Sequence, residues 1–412
     1  MRHISAMRAR QIARRLWGVL ICALFFTLPS LCAAAEKKAE IMPYPRRADT
    51  AADPAAEAIA DRVLEPAMKE KRLVGLVVGV VKNGRVVVKK GYGVKSFDSP
   101  EAPDENTVFY IGSLSKAVTA VGAMLLVEKG KLDLGTPAGK YVKGMPESWR
   151  PITVTQFMAH QSGIPQLSNK LPAFEEMLKA AENRPLVFKP GAKQQYNNFN
   201  YAVTGRIIAS VSDVAYLDYM KRKVFDPLHM DHTGYGIETK NEAISYRPVP
   251  PNERAAPNGP AAVNDSAPGQ GGKPEPIAHE LKGGEYGIPS GHLQSTLADL
   301  LKLYHAIRTG ALMKRSTYEL MVTRANPKFS GTLGWFQRDA GKDTIITKNG
   351  AVQGWHSIMS FVSDKGHCVI MLWTSQKPKA NNMGKETNQL LNQICGVPVG
   401  PDAQAADDLG EE

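Results

Sequence analysis

Strand-like segments stand near the two ends of this chain and helical patterns fill the middle, and this order limits the available folds more than any other feature. Near the start, "LVGLVVGVVKNGRVVVKKGYG" carries two valine-rich runs joined by Lys82-Asn83-Gly84. Asn-Gly between β-branched runs predicts a tight hairpin, because both residues tolerate the positive φ of a type I′ turn. Strands resume far downstream in "GTLGWFQ", "DTIIT", "HSIMSFV" and "HCVIMLW". Helical patterns dominate from Ser113 to about Glu238, led by "KAVTAVGAMLLVEKG", with further helices expected over about 51–71, in "STLADLLKLYHAI" and over about 381–394. One sheet is then built from distant parts of the chain, and a helical lobe interrupts an α/β lobe.

A length of 412 residues with 43% hydrophobic content is ample for a substantial core. Residues 245–286 are crowded with Pro, Gly and Asn, have no period, and read as a long irregular excursion. Residues 1–35 place Arg2, Arg8, Arg10, Arg14 and Arg15 ahead of an apolar stretch from Leu16 to Leu31 that ends in "CAAAEKK". This predicts a secretory signal peptide cleaved after Ala35, and hence a periplasmic or secreted protein. A membrane anchor fits less well, because the run is shorter than the ~20 residues of a spanning helix and contains Pro29. Cleavage removes five arginines and lowers the net charge of +11 by five, to +6. No basic run with interleaved aromatics argues for nucleic acid. The segment 401–412 is acidic and reads as a disordered tail. Cys22 and Cys32 leave with the leader; Cys368 and Cys395 sit in apolar settings that suit buried thiols better than a disulfide.

Three short motifs hold residues able to do chemistry. In "YIGSLSKAVTAVG", Ser113 and Lys116 lie three apart at the start of a helix whose residues 117–127 are apolar nearly all round. Residues at i and i+3 share a face. A lysine at the mouth of a buried helix is desolvated, which lowers its pKa and lets the neutral amine take a serine proton. The helix N-terminus adds backbone N–H groups for an oxyanion. Taken alone, Ser113 is better explained as a helix cap, while Ser115 faces elsewhere and reads as structural. In "FKPGAKQQYNNFNYAVTG", Tyr196 and Asn198 stand two apart ahead of a helix, where core packing and capping also explain them. The third motif is a second Lys-Asn-Gly, at 348–350, followed by "AVQGW", which is poor strand material.

The ordered set Ser113/Lys116, Tyr196/Asn198 and Lys348/Gly350 resembles the serine β-lactamase and penicillin-binding protein superfamily, and its Y-x-N form resembles class C β-lactamases and their carboxypeptidase and esterase relatives. The stretches "GKLDLGTPAGKYV", "ITVTQFMAHQSGIP", "VFDPLHMDHTGY", "PSGHLQSTLADL" and "LGWFQR" carry the same resemblance, which covers roughly residues 60–395. It implies a β-lactamase/transpeptidase-like α/β fold: an antiparallel sheet flanked by helices, with an inserted all-helical lobe. The α/β lobe would take about 55–110 and 285–398 and the helical lobe about 111–284, within a domain of 36–400. It also implies an acyl-enzyme serine hydrolase in which Ser113 is the nucleophile, Lys116 and Tyr196 move the proton, and Asn198 positions Lys116 and substrate. Lys348-Asn349-Gly350 would lie on the sheet edge lining the site, where Lys348 would attract a substrate carboxylate, Gly350 would let substrate backbone approach, and the Ala351 and Ser113 amides would form the oxyanion hole. Asn349 departs from the family pattern, which has Thr or Ser there. No cofactor or metal is implied, and a monomer acting on a small β-lactam, peptide or ester is expected.

Other signals carry less. "GTPAGKY" lacks the spacing and the hydroxyl of a phosphate loop, His229 and His232 lack a zinc motif, and His160 reads as a turn residue. Trp335 and Trp355 suit either core or pocket lining. Class C-like β-lactamase is the leading expectation, followed by D-alanyl-D-alanine carboxypeptidase and short-chain esterase. The alternative from another class is a wall-binding protein without turnover.

Overall fold

Asp53 caps the first helix, its carboxylate accepting from the Ala55 and Ala56 amides at 3.0 and 3.2 Å. The computed structural model describes residues 53–168, 170–247, 274–281, 284–376 and 382–399. The leader at 1–35, the tail at 401–412, Cys22 and Cys32, and residues 248–273 of the excursion lie outside them. Helix α1 is Pro54–Glu70, and strands β1 (Leu73–Lys82) and β2 (Arg85–Gly93) follow. Helices α2 (Leu114–Glu128), α3 (Phe199–Ser212) and α4 (Leu297–Thr309) are the main helices of the middle. Strands β3 (Phe336–Ala340), β4 (Asp343–Val352), β5 (Trp355–Val362) and β6 (His367–Ser375) precede α5 (Gly384–Gln393).

The six strands form one antiparallel sheet in the order β2-β1-β6-β5-β4-β3. The two ends of the chain meet at β1 and β6, where Leu76 lies opposite Trp373 and Val80 opposite Val369. Strand β1 is a continuous apolar run because both its faces are covered. Val77 and Val81 join the core under α2 and α4, and Leu76, Val78 and Val80 join the second core under α1 and α5. At about 1.5–3 kcal/mol for each large apolar side chain fully buried, this central strand ties both layers to one sheet. The fold is an antiparallel sheet flanked by helices.

The two Lys-Asn-Gly copies fold differently. Asn83 and Gly84 have φ of 53° and 80° and form the expected hairpin turn. Asn349 and Gly350 are extended in β4, which runs on to Val352; the following turn is Gln353-Gly354, with φ of 47° and 90°. The segment after Lys348 is therefore strand despite its composition, because Ala351 and Val352 pair with His356 and Trp355 of β5.

The excursion is closed at its base by a short ladder of Tyr246–Arg247 against Glu275–Pro276. Trp335 and Trp355 are both core residues, each 2% exposed, and the Trp355 Nε1–H donates to the Ala243 carbonyl at 2.7 Å. Cys368 and Cys395 are free thiols, the first in the core under α4 and the second packed against the core under α5. No helix among the described residues is long and apolar enough to cross a membrane.

Candidate active site

Ser113 occupies the N-cap position of α2, but its side chain makes no capping hydrogen bond. The hydroxyl is committed elsewhere: it lies 3.0 Å from Lys116 Nζ and accepts from the Tyr196 hydroxyl at 2.5 Å. Lys116 is drawn inside because residues Leu114–Leu126 of α2 are all buried, and its own exposure is 0%. Its nitrogen also donates to Asn198 Oδ1 at 2.8 Å and to the Ser290 carbonyl at 2.5 Å. Burial, then the nearby charge of Lys348, pushes the Lys116 pKa well below the ordinary lysine value. A neutral amine has two N–H donors and one lone pair. With Asn198 Oδ1 and the Ser290 carbonyl taking the donors, the lone pair is left for the Ser113 hydroxyl.

Asn198 is likewise an N-cap without a capping bond, so α3 spends its first side chain on Lys116 rather than on itself. The Tyr196 ring lies beneath both lysines, 4.7 Å from Lys116 Nζ and 4.7 Å from Lys348 Nζ. His160 has the positive φ of a turn residue, 57°, and its ring also packs on Tyr196 at 4.4 Å. Its Nδ1 accepts from the Asn197 amide at 3.2 Å, and burial holds the imidazole neutral.

The third wall is β4. Strand β3 pairs with it only as far as Thr347, leaving Lys348 to Val352 with no partner strand on that edge among the described residues. Lys348 is 2% exposed and its ammonium is held between the Tyr196 and Phe336 rings, at 4.7 and 4.9 Å. It makes no ion pair among the described residues. Burial lowers its pKa from 10.5 to about 7. A Cβ on Gly350 would lie 2.1 Å from the Ile111 carbonyl and 2.7 Å from the Ser113 nitrogen, and one on Gly112 would lie 2.4 Å from the Ala351 nitrogen. The missing side chain at 350 thus makes room for the protein's own Ser113 segment rather than for substrate. That packing brings the Ser113 and Ala351 amides to the same wall.

Ser113, Tyr196, Lys348, Asn349, Gly350 and Ala351 line one open cleft. Every site residue singled out in the sequence except Lys116 and Asn198 faces it directly, and those two stand behind Ser113. Ser115 points away and accepts from the Leu293 amide at 3.1 Å. Sequence reasoning missed four contributors. The Ser290 carbonyl leaves no trace in residue type, Phe336 is an ordinary strand aromatic, and His356 and Trp373 line the cleft where Trp335 and Trp355 do not. No group of three or more metal-binding side chains occurs among the described residues.

Residues 60–393 match the family described as Beta-lactamase. The chain is 30% identical over 200 residues to Protein flp of Staphylococcus aureus (strain N315), a match covering 45% of this chain and 40% of that protein. It therefore takes in less than half of that relative's length. It is 28% identical over 322 residues to PbpX of Bacillus subtilis (strain 168), a protein named for penicillin binding, covering 76% of this chain and 74% of PbpX. Among solved structures, the octameric penicillin-binding protein homologue from Pyrococcus abyssi superposes with a TM-score of 0.68 at 24% identity, covering 83% of this chain and 78% of that one.

Proposed function

The chain belongs to the Beta-lactamase family, and on that premise we propose that it is a serine hydrolase working through an acyl-enzyme on carboxylate-bearing substrates, as a β-lactamase of the class C type. The observation that carries this reading is the Ser113 hydroxyl held between the Lys116 amine and the Tyr196 hydroxyl, at 3.0 and 2.5 Å. Ser113 Oγ attacks the substrate carbonyl while its proton passes to Lys116 Nζ, and the oxyanion rests on the Ser113 and Ala351 amides. The intermediate collapses as the leaving nitrogen or oxygen takes a proton delivered through Tyr196, leaving an ester on Ser113. Water then attacks that ester by the same route, and Ser113 regains its proton. Asn198 keeps Lys116 aimed at Ser113.

Lys348 supports the choice of substrate, being a cation in the cleft wall without an ion pair among the described residues. Asn349 favours a second reading, D-alanyl-D-alanine carboxypeptidase or short-chain esterase, because it removes the hydroxyl that would add a donor for a β-lactam carboxylate. The Arg-led leader supports a periplasmic or secreted location. The deciding experiment compares turnover of nitrocefin, a D-Ala-D-Ala peptide and p-nitrophenyl butyrate, with mass spectrometry to locate the acyl group. Absence of any adduct on Ser113 with all three would reject the acyl-enzyme reading in favour of a wall-binding protein.

A further inference from the structure

The cleft does not stop at the catalytic face of the sheet. It wraps round the free edge of β4 and reaches His356 and Trp373. Ala351, His356 and Trp373 are cross-strand neighbours on β4, β5 and β6. They therefore share one face, the face that packs on α1 and α5. The His356 and Trp373 rings stack 5.4 Å apart and 9° from parallel.

Both side chains are deeply buried, at 4% and 2% exposure, yet His356 Nε2 and Trp373 Nε1 have no hydrogen-bond partner among the described residues. An unpaired buried polar atom costs about 1–3 kcal/mol, so two on stacked rings that line a cleft holding a reactive serine mark a place built for a ligand group. Apolar residues bound it, Ile358 and Met383 among them. Burial keeps the imidazole neutral, with a pKa lowered to about 4. An indole only donates, whereas a neutral imidazole offers one lone pair and one N–H. With the lone pair at Nε2, the complementary group accepts one hydrogen bond and donates one, as a secondary amide does. A carboxylate has no proton to give, and an alkyl group would leave both atoms unpaired.

We propose that the pair His356 and Trp373 forms a specificity subsite for a secondary amide of the substrate, whose oxygen accepts from Trp373 Nε1–H and whose N–H donates to the His356 imidazole at Nε2. The subsite rests on the reading of Ser113 as the acylated nucleophile, because the molecule that fills it is the one presented to that serine.

Two measurements test it. In the first, the indole N–H signals of the ¹⁵N-labelled protein are followed by NMR during titration with N-methylacetamide and with methyl acetate, using Trp373→Phe to assign the signal. The amide is expected to shift the Trp373 resonance saturably, the ester is not, and His356→Phe should abolish the response. An unmoved Trp373 signal, or the same shift in His356→Phe, overturns the subsite. In the second, p-nitrophenyl N-acetylglycinate is compared with p-nitrophenyl butyrate. His356→Phe and Trp373→Phe should each lower the ratio of kcat/KM on the amide ester to that on the butyrate by about 5- to 30-fold, the loss of one such hydrogen bond. Equal losses on both esters, or on neither, overturn the proposal. So does an unfolded His356→Phe beside a Trp373→Phe that behaves as wild type. Failure of the wild type to cleave either ester counts against the nucleophile reading alone, because the titration needs no turnover.

Discussion

Replacing Lys348 by methionine should make this protein more stable and poorer at using acidic substrates. The lysine is 2% exposed, and burial lowers its pKa from 10.5 to about 7. At about 1.4 kcal/mol per pH unit, that difference means the charged form costs the fold about 5 kcal/mol. Contacts with the Tyr196 and Phe336 rings return about 1–2 kcal/mol, leaving about 3 kcal/mol. Because the folded pKa is depressed, the unfolded chain holds the extra proton between about pH 7 and 10.5. The penalty is thus complete below about pH 7 and fades as pH rises towards 10.5. Methionine keeps the length without the charge, so Lys348→Met should gain about 2–4 kcal/mol at pH 6, an advantage that shrinks towards pH 10. Urea unfolding followed by tryptophan fluorescence at pH 6, 8 and 10 measures it. The matching activity test is the ratio of kcat/KM on a carboxylate substrate to that on a neutral ester at pH 7. That ratio should fall by about 10- to 150-fold, the value of a hydrogen bond to a charged group. A variant less stable than wild type at pH 6, or one that loses both substrates alike, would refute the assignment of an unpaired cation to carboxylate recognition.

Ser113→Ala should abolish turnover with the fold intact, whereas Ser115→Ala should keep most activity and lose about 1–2 kcal/mol of stability, because the Leu293 amide is left unpaired; equal activity losses would reject the choice of nucleophile. Gly350→Ala should cost at least about 2 kcal/mol and most of the turnover, since the new Cβ strikes the Ile111 carbonyl at 2.1 Å; an unchanged melting temperature and rate would show that the Ser113 segment is not held there. On a neutral ester, kcat/KM should rise with pH to a plateau as Lys116 sheds its proton, and the limb should lie well below the usual lysine range. Lys348→Met should move that limb to higher pH, because it removes a charge that lowers the Lys116 pKa; a limb that stays in place would separate the two lysines.

Much of the framework was legible in residue order. The hairpin at Asn83-Gly84, the buried helix that begins at Ser113 and the late strands all follow from local rules: β-branched alternation, turn residues that accept positive φ, and a helix apolar on every side. Those rules also placed Ser113 and Lys116 on one helix face. They could not decide between a capping serine and a reactive one, because that choice depends on whether Tyr196 and Lys116 reach the hydroxyl from elsewhere. They also misjudged the segment after Lys348. The same Lys-Asn-Gly is a turn at 82–84 and a strand at 348–350, since register with β5 satisfies the backbone of the second copy and Gln353-Gly354 takes over the reversal. The Ser290 carbonyl under Lys116, the ring of Phe336 over Lys348 and the stacked His356 and Trp373 have no sequence signature. Each arises only where strands and helices far apart in the chain are brought within hydrogen-bonding or ring-contact distance, and that proximity is a property of the packed sheet, not of any stretch of residues.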